Sequence, residues 1–154
     1  MSAILLRPVA LDELSRCAAL VVAEPAFAAY QIDEARLVRI LEGVVAEGRA
    51  ELLGAELDGT LVGFAWFVPR GAFDRSGYLR LIAVEGAAQG RGVGRALVAE
   101  LEARHLHPRG IVLLCAVGNV AAAGFYARLG YLEVGRLPSY VGPGLDERIF
   151  FKPG

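Results

Sequence analysis

The stretch AVEGAAQGRGVGRALVAEL (83–101) decides how the rest of the chain is read. Glycine recurs at 86, 90, 92 and 94, with Arg91 and Arg95 between and beyond, and an amphipathic helix pattern follows to about Arg104. Each glycine inside a helix costs roughly 1 kcal/mol relative to alanine, so the cluster needs a reason. A helix N-terminus exposes unpartnered amide N–H groups and about half a positive charge, and glycine lets an anion approach them. Strand, glycine loop and helix start together make a phosphate site, with the two arginines at its rim. A P-loop is excluded, because it needs Gly-Lys-Ser/Thr and Lys152 is the only lysine. A dinucleotide fingerprint fits poorly: from Gly90 the spacing is GxGxG, and from Gly92 the third glycine would fall on Leu97.

Working outward, Ile4 to Val9 reads as a first strand and a helix follows from about Asp12 as its N-cap. A second helix is expected over Ala35–Ala46 after Asp33. Strands Glu51–Leu57 and Thr60–Val68 flank Asp58-Gly59, a strong hairpin signal. After the loop PRGAFDRSG comes a strand over Tyr78–Val84, then the glycine stretch and its helix. Ile111–Val117 is an apolar strand, Asn119 caps a helix reaching Leu129, and Gly130 ends it. Two last strands are expected at Tyr131–Gly135 and Arg148–Phe151. The order β-α-α-β-β-β-α-β-α-β-β implies an α+β (α/β) fold, a mixed sheet with helices on its faces. With no repeat and no linker, residues 1–154 form one domain.

Composition limits the partners. Hydrophobic residues make up 55% and charged residues 21%, which favours a packed globular domain over disorder. A net charge of −1 gives no basic field for nucleic acid. Cys17 and Cys115 lie far apart without a CxxC, so neither a disulfide framework nor a metal site is expected, and Cys115 reads as a core thiol. The uncharged run 110–127 holds Gly118-Asn119 at its centre and reads as strand, turn and helix, not as a membrane span. The start of the chain has no signal-peptide pattern, and the chain reads as cytoplasmic.

Gln89, Gly92 and Gly94 fill a pattern Q/R-x-x-G-x-G/A after a strand. Asn119, Ala122, Phe125-Tyr126 and Gly130-Tyr131 fill a second, N-x-x-A-x-x-F/L-Y-x-x-x-G-F/Y. Together, and in this element order, they resemble the GNAT N-acetyltransferase family, over nearly the whole chain. The resemblance implies a mostly antiparallel central sheet and acetyl-CoA as the donor, without a metal, lying where the fourth and fifth strands part. It implies pyrophosphate contacts from Gln89, Gly90, Arg91, Gly92, Val93, Gly94 and Arg95, and further cofactor contacts from Ile82, Ala83, Val84, Asn119, Ala122, Phe125 and Tyr126. The backbone N–H of Val84 would polarise the thioester carbonyl. An amine would attack it directly through a tetrahedral intermediate, and Tyr126 would supply the departing sulfur with a proton. Glycine at 92 and 94 would be required because a Cβ would intrude on the phosphates.

An alkylamine acceptor must lose a proton, which at pH 7 costs roughly 4–5 kcal/mol for a pKa near 10.4. Some family members use a glutamate on the fourth strand; here that strand carries Arg80 instead, so the base is unassigned. Glu24, Asp33, Glu85 and a water chain are the alternatives. Acceptor contacts are expected from Glu24, Phe27, Tyr30, Trp66 and Arg80. The segment Pro138–Glu147 is expected to be a loop over the site. Asp146 and Glu147 within it read either as solvated turn residues, the favoured reading, or as a seat for an ammonium group. His105 and His107 read as surface residues. The acceptor would be a small-molecule or peptide amine. A non-catalytic acyl-CoA-binding module and a nucleotide-binding protein remain as rival readings, and no residue decides whether the chain forms a homodimer.

Overall fold

The computed structural model describes residues 2–154. Seven strands form a single sheet in the order β1-β2-β3-β4-β5-β7-β6. They are β1 (Leu5–Pro8), β2 (Glu51–Leu57), β3 (Thr60–Ala72), β4 (Ser76–Val84), β5 (Ile111–Ala116), β6 (Leu132–Gly142) and β7 (Leu145–Lys152). The helices are α1 (Leu14–Ala23), α2 (Glu34–Glu47), α3 (Val93–His105) and α4 (Val120–Arg128). Among the described residues only β4 and β5 pair in parallel; every other neighbour is antiparallel. The expected mixed, mostly antiparallel sheet and its element order are therefore present.

Strand alternation divides the core between two faces. Phe64 on β3 turns toward α1 and α2, where it meets Leu14, Cys17 and Leu41. Phe67, three residues on, turns the other way, toward Leu97 and Leu101 of α3 and Leu113 of β5. Both rings are completely buried. Gly77 of β4 lies against Phe67 so closely that an added Cβ would overlap the ring. Phe67 cannot yield, so Gly77→Ala is expected to cost about 1–3 kcal/mol. Thermal unfolding followed by circular dichroism checks this as a fall of several degrees in Tm.

Three boundaries differ from those read in the sequence. The N-cap of the first helical segment is Ala10, not Asp12, which lies inside a single 3₁₀ turn; Glu13 reaches back to the Ala10 amide. The stretch PRGAFDRSG is not an open loop. β3 runs on to Ala72, which pairs with Ser76 around a tight turn with Phe73 and Asp74 in left-handed conformation. Pro138 suggested a break, yet β6 continues through it to Gly142, because β6 is an edge strand where a missing N–H is tolerated. Pro138–Glu147 is thus the tip of the β6–β7 hairpin, with Gly142 paired to Leu145, and not a covering loop. Among the described residues no helix is long and apolar enough to cross a membrane.

Candidate functional site

The glycine stretch adopts the geometry its composition favours. Gly90 and Gly92 hold φ of +77° and +83°, which residues with a Cβ rarely adopt. Gly92 stands at the N-cap of α3, and no side chain caps that terminus. Among the described residues the amides of Val93, Gly94 and Arg95 find no hydrogen-bond acceptor, and Arg91 and Arg95 are exposed without an ion pair. The free amides and both arginines thus lie at the turn that the sequence singled out. Gly94 differs from Gly92: its φ is ordinary, and a Cβ there would make ordinary contact with the Phe125 ring of α4 at 3.4 Å.

Beside this turn the sheet opens. β4 pairs with β5 only from Gly77–Ile111 to Leu79–Leu113, although both strands continue. A bulge in β4 at Arg80, between the pairs Phe67–Leu79 and Trp66–Leu81, bends it at that point. The Glu85 N–H donates to Val62 O at 2.7 Å, so Gly63–Val84 is a non-hydrogen-bonded pair. The Val84 N–H, and by alternation that of Ile82, therefore points away from β3 into the gap. Ala83 turns the opposite way: its backbone is paired with Phe64 and its side chain is in the core. The Gln89 side-chain amide ties the region together, donating to Val84 O (3.1 Å) and to the Glu24 carboxylate (2.8 Å). A cavity of about 600 Å³ lies at the far end of β5, lined among others by Ala26, Tyr30, Ala116, Asn119, Leu145 and Asp146.

The other wall of the gap is α4. Asn119 Oδ1 accepts from the Ala122 amide at 3.2 Å and starts the helix. Asn119→Ala is expected to lower stability by about 1 kcal/mol, read from denaturant unfolding. Ala122 and Phe125 pack partly buried on the core. Tyr126 is buried and its ring meets those of Phe125, Tyr131 and Phe150 edge-on or tilted. Its hydroxyl makes no hydrogen bond among the described residues. Burial, and next the neighbouring Cys115, hold that hydroxyl well above the ordinary phenol pKa, so it stays protonated. Burial likewise raises the Cys115 thiol to about 11, which keeps it a neutral core group.

The expected acceptor residues lie on the α1–α2 face. The Arg80 guanidinium stands 5.1 Å from the Trp66 ring centroid, and Phe27 and Tyr30 sit 6.1 Å apart in the α1–α2 connection. Tyr30 donates to Glu147 Oε1 at 2.7 Å. Glu147 is only 5% exposed, which corrects its reading as a solvated turn residue. Nothing in LDE (145–147) distinguishes it from a turn acid; only the pairing of Glu147 with Ala116 across β5 and β7 reveals it. Of the acids named as base, Asp33 caps α2 through the Arg36 amide and Glu85 is paired with Arg16 at 3.0 Å. Glu24 touches Gln89 instead. His105 is half-buried: it stacks on Phe67 at 4.7 Å and meets Glu51 at 3.0 Å, at the protein's edge. His107 is exposed.

An uncapped helix start after a glycine turn, beside a gap between two parallel strands, suits a phosphate-bearing donor. Residues 12–131 match the acetyltransferase (GNAT) family, and the chain belongs to that family. An uncharacterised N-acetyltransferase of Methanocaldococcus jannaschii is 35% identical over 102 residues, which take in 64% of this chain and 63% of that relative's length. A ribosomal-protein-alanine N-acetyltransferase structure from Brucella melitensis superimposes with a TM-score of 0.76 and 28% identity, covering 97% of this chain and 99% of its own. The Salmonella typhimurium protein yncA, solved with its cofactor acetyl-CoA, shares the fold at a TM-score of 0.74 and 22% identity, covering 98% of this chain and 94% of its own.

Proposed function

We propose that the protein is an acetyl-CoA-dependent N-acetyltransferase that acts on a primary amine of a small molecule or peptide. The observation that carries this reading is that groups on β4 and on the helices that follow β4 and β5, the two strands that part, are left without partners among the described residues. They are the amides at the start of α3, the Val84 N–H and the Tyr126 hydroxyl. Buried or half-buried polar groups normally find partners within the protein. These fit a ligand with phosphate at one end and a carbonyl and sulfur at the other.

Acetyl-CoA, when bound, supplies an activated acetyl group as a thioester. The α3 amides, with Arg91 and Arg95, hold its phosphates, and Asn119, Ala122 and Phe125 border its arm. The Val84 N–H donates to the carbonyl oxygen where negative charge develops, an arrangement worth roughly 3–4 kcal/mol in other acyl-transfer sites. Tyr126 holds a proton at its hydroxyl for the departing sulfur. Incubation with acetyl-CoA and a panel of amines tests the reading, with released thiol and product mass followed together. Thiol release matched by a product heavier by one acetyl group supports it. Firm acetyl-CoA binding with no acetylated amine would favour a non-catalytic acyl-CoA-binding module.

A further inference from the structure

We propose that Glu147 receives the acceptor as an alkylammonium ion and takes its proton, so that the acceptor is a strongly basic amine. This rests on the acetyltransferase reading above. Glu147 lies on the same sheet face as Arg80 and Trp66, across the gap left where β4 parts from β5. Tyr30 holds its Oε1, while Oε2 is buried with no hydrogen-bond partner. A buried carboxylate oxygen without a donor is costly, and an ammonium N–H is the donor that matches its charge.

The neighbouring groups leave that place to the ligand. Tyr30 faces Glu147 from the α1–α2 connection and Tyr78 and Arg80 from β4, with Tyr140 of β6 near Tyr78; Cys115 of β5 acts on Glu147 from the opposite face of the sheet. Arg80 is the one cation among them, and it makes no ion pair with Glu147. Burial raises the Glu147 carboxyl above the usual range, opposed by the Tyr30 hydrogen bond and Arg80, which improves its match to an amine. Tyr30 also lines the cavity at the end of β5, which Ala116, paired with Glu147, and its neighbour Asp146 border as well.

In the reaction, Glu147 takes one proton from the ammonium nitrogen. The freed lone pair forms the N–C bond to the acetyl carbonyl, and the C–S bond breaks. The sulfur takes the Tyr126 proton, a second proton from the nitrogen replaces it, and Glu147 returns its own to solvent. The sum is ammonium plus thioester giving amide, thiol and one proton.

Two variants and two acceptors test this. 1,4-Diaminobutane is an ammonium at neutral pH, whereas aniline is already a free base. Glu147→Gln is expected to lower kcat/KM for diaminobutane about 10²-fold at neutral pH, with recovery as pH rises. Aniline turnover and acetyl-CoA affinity should change by no more than a few-fold. Tyr30→Phe, which keeps the ring, removes a hydrogen bond that favours the carboxylate, so the acid limb of the diaminobutane profile should move to higher pH. Calorimetry of the CoA-loaded protein should show diaminobutane binding that Glu147→Gln abolishes. Equal losses for both amines, an unmoved pH profile, or a wild type that acetylates aniline but not diaminobutane would overturn the assignment and spare the acetyltransferase reading. A wild type that binds no acetyl-CoA would overturn both.

Discussion

Tyr126→Phe is expected to lower kcat by about 10²-fold or more while leaving acetyl-CoA affinity within a few-fold of wild type. The variant removes one oxygen from a ring whose packing on Phe125, Tyr131 and Phe150 carries its structural role. Because the hydroxyl has no partner among the described residues, its loss breaks no internal hydrogen bond, and Tm should not fall. A purely structural tyrosine would show the reverse, with turnover kept and stability moved. The raised pKa adds a sign: the wild-type hydroxyl stays protonated through the whole neutral range, so no alkaline loss of turnover near the usual phenol pKa is expected. Steady-state kinetics on both proteins, with acetyl-CoA binding measured separately, tests this.

Gly92→Val is expected to weaken acetyl-CoA binding by at least ~10-fold, with little loss of overall stability. Gly92 has φ of +83°, and a β-branched residue there costs on the order of 1–3 kcal/mol. No atom lies within 4 Å of where the Cβ would stand, so the effect does not come from crowding inside the protein. The loop relieves the strain by turning its peptides, which moves the α3 amides away from the phosphates. Gly86→Ala is the control, since its φ is ordinary and its surroundings are open. It should bind acetyl-CoA as wild type does. Calorimetry for binding and a thermal melt for folding separate the two effects.

The glycine turn and uncapped start of α3 were legible because their cause is local: glycines at 90 and 92, a helix start, and arginines adjacent in sequence. The α4 signature was legible for the same reason, since Asn119 caps through an amide three residues on. Glu147 was not. Its burial depends on Tyr30, 117 residues away, and on a register between β5 and β7 that no local pattern encodes. The length of β6 was hidden by Pro138, whose cost depends on whether the strand lies at an edge. The positive φ at Gly90 followed from residue type, whereas the placing of Phe125 beside Gly94 depends on how two helices pack. The half-burial of His105 was not legible because its stacking partner, Phe67, comes from a distant strand.

Binding of the donor bears most directly on the whole mechanism, and it is measured by calorimetric titration of the wild-type protein with acetyl-CoA, beside ATP and NAD. Saturable one-to-one binding of acetyl-CoA, with ATP and NAD much weaker, is the predicted result. A folded protein that binds ATP or NAD as well as acetyl-CoA, or that binds none of them, would contradict it.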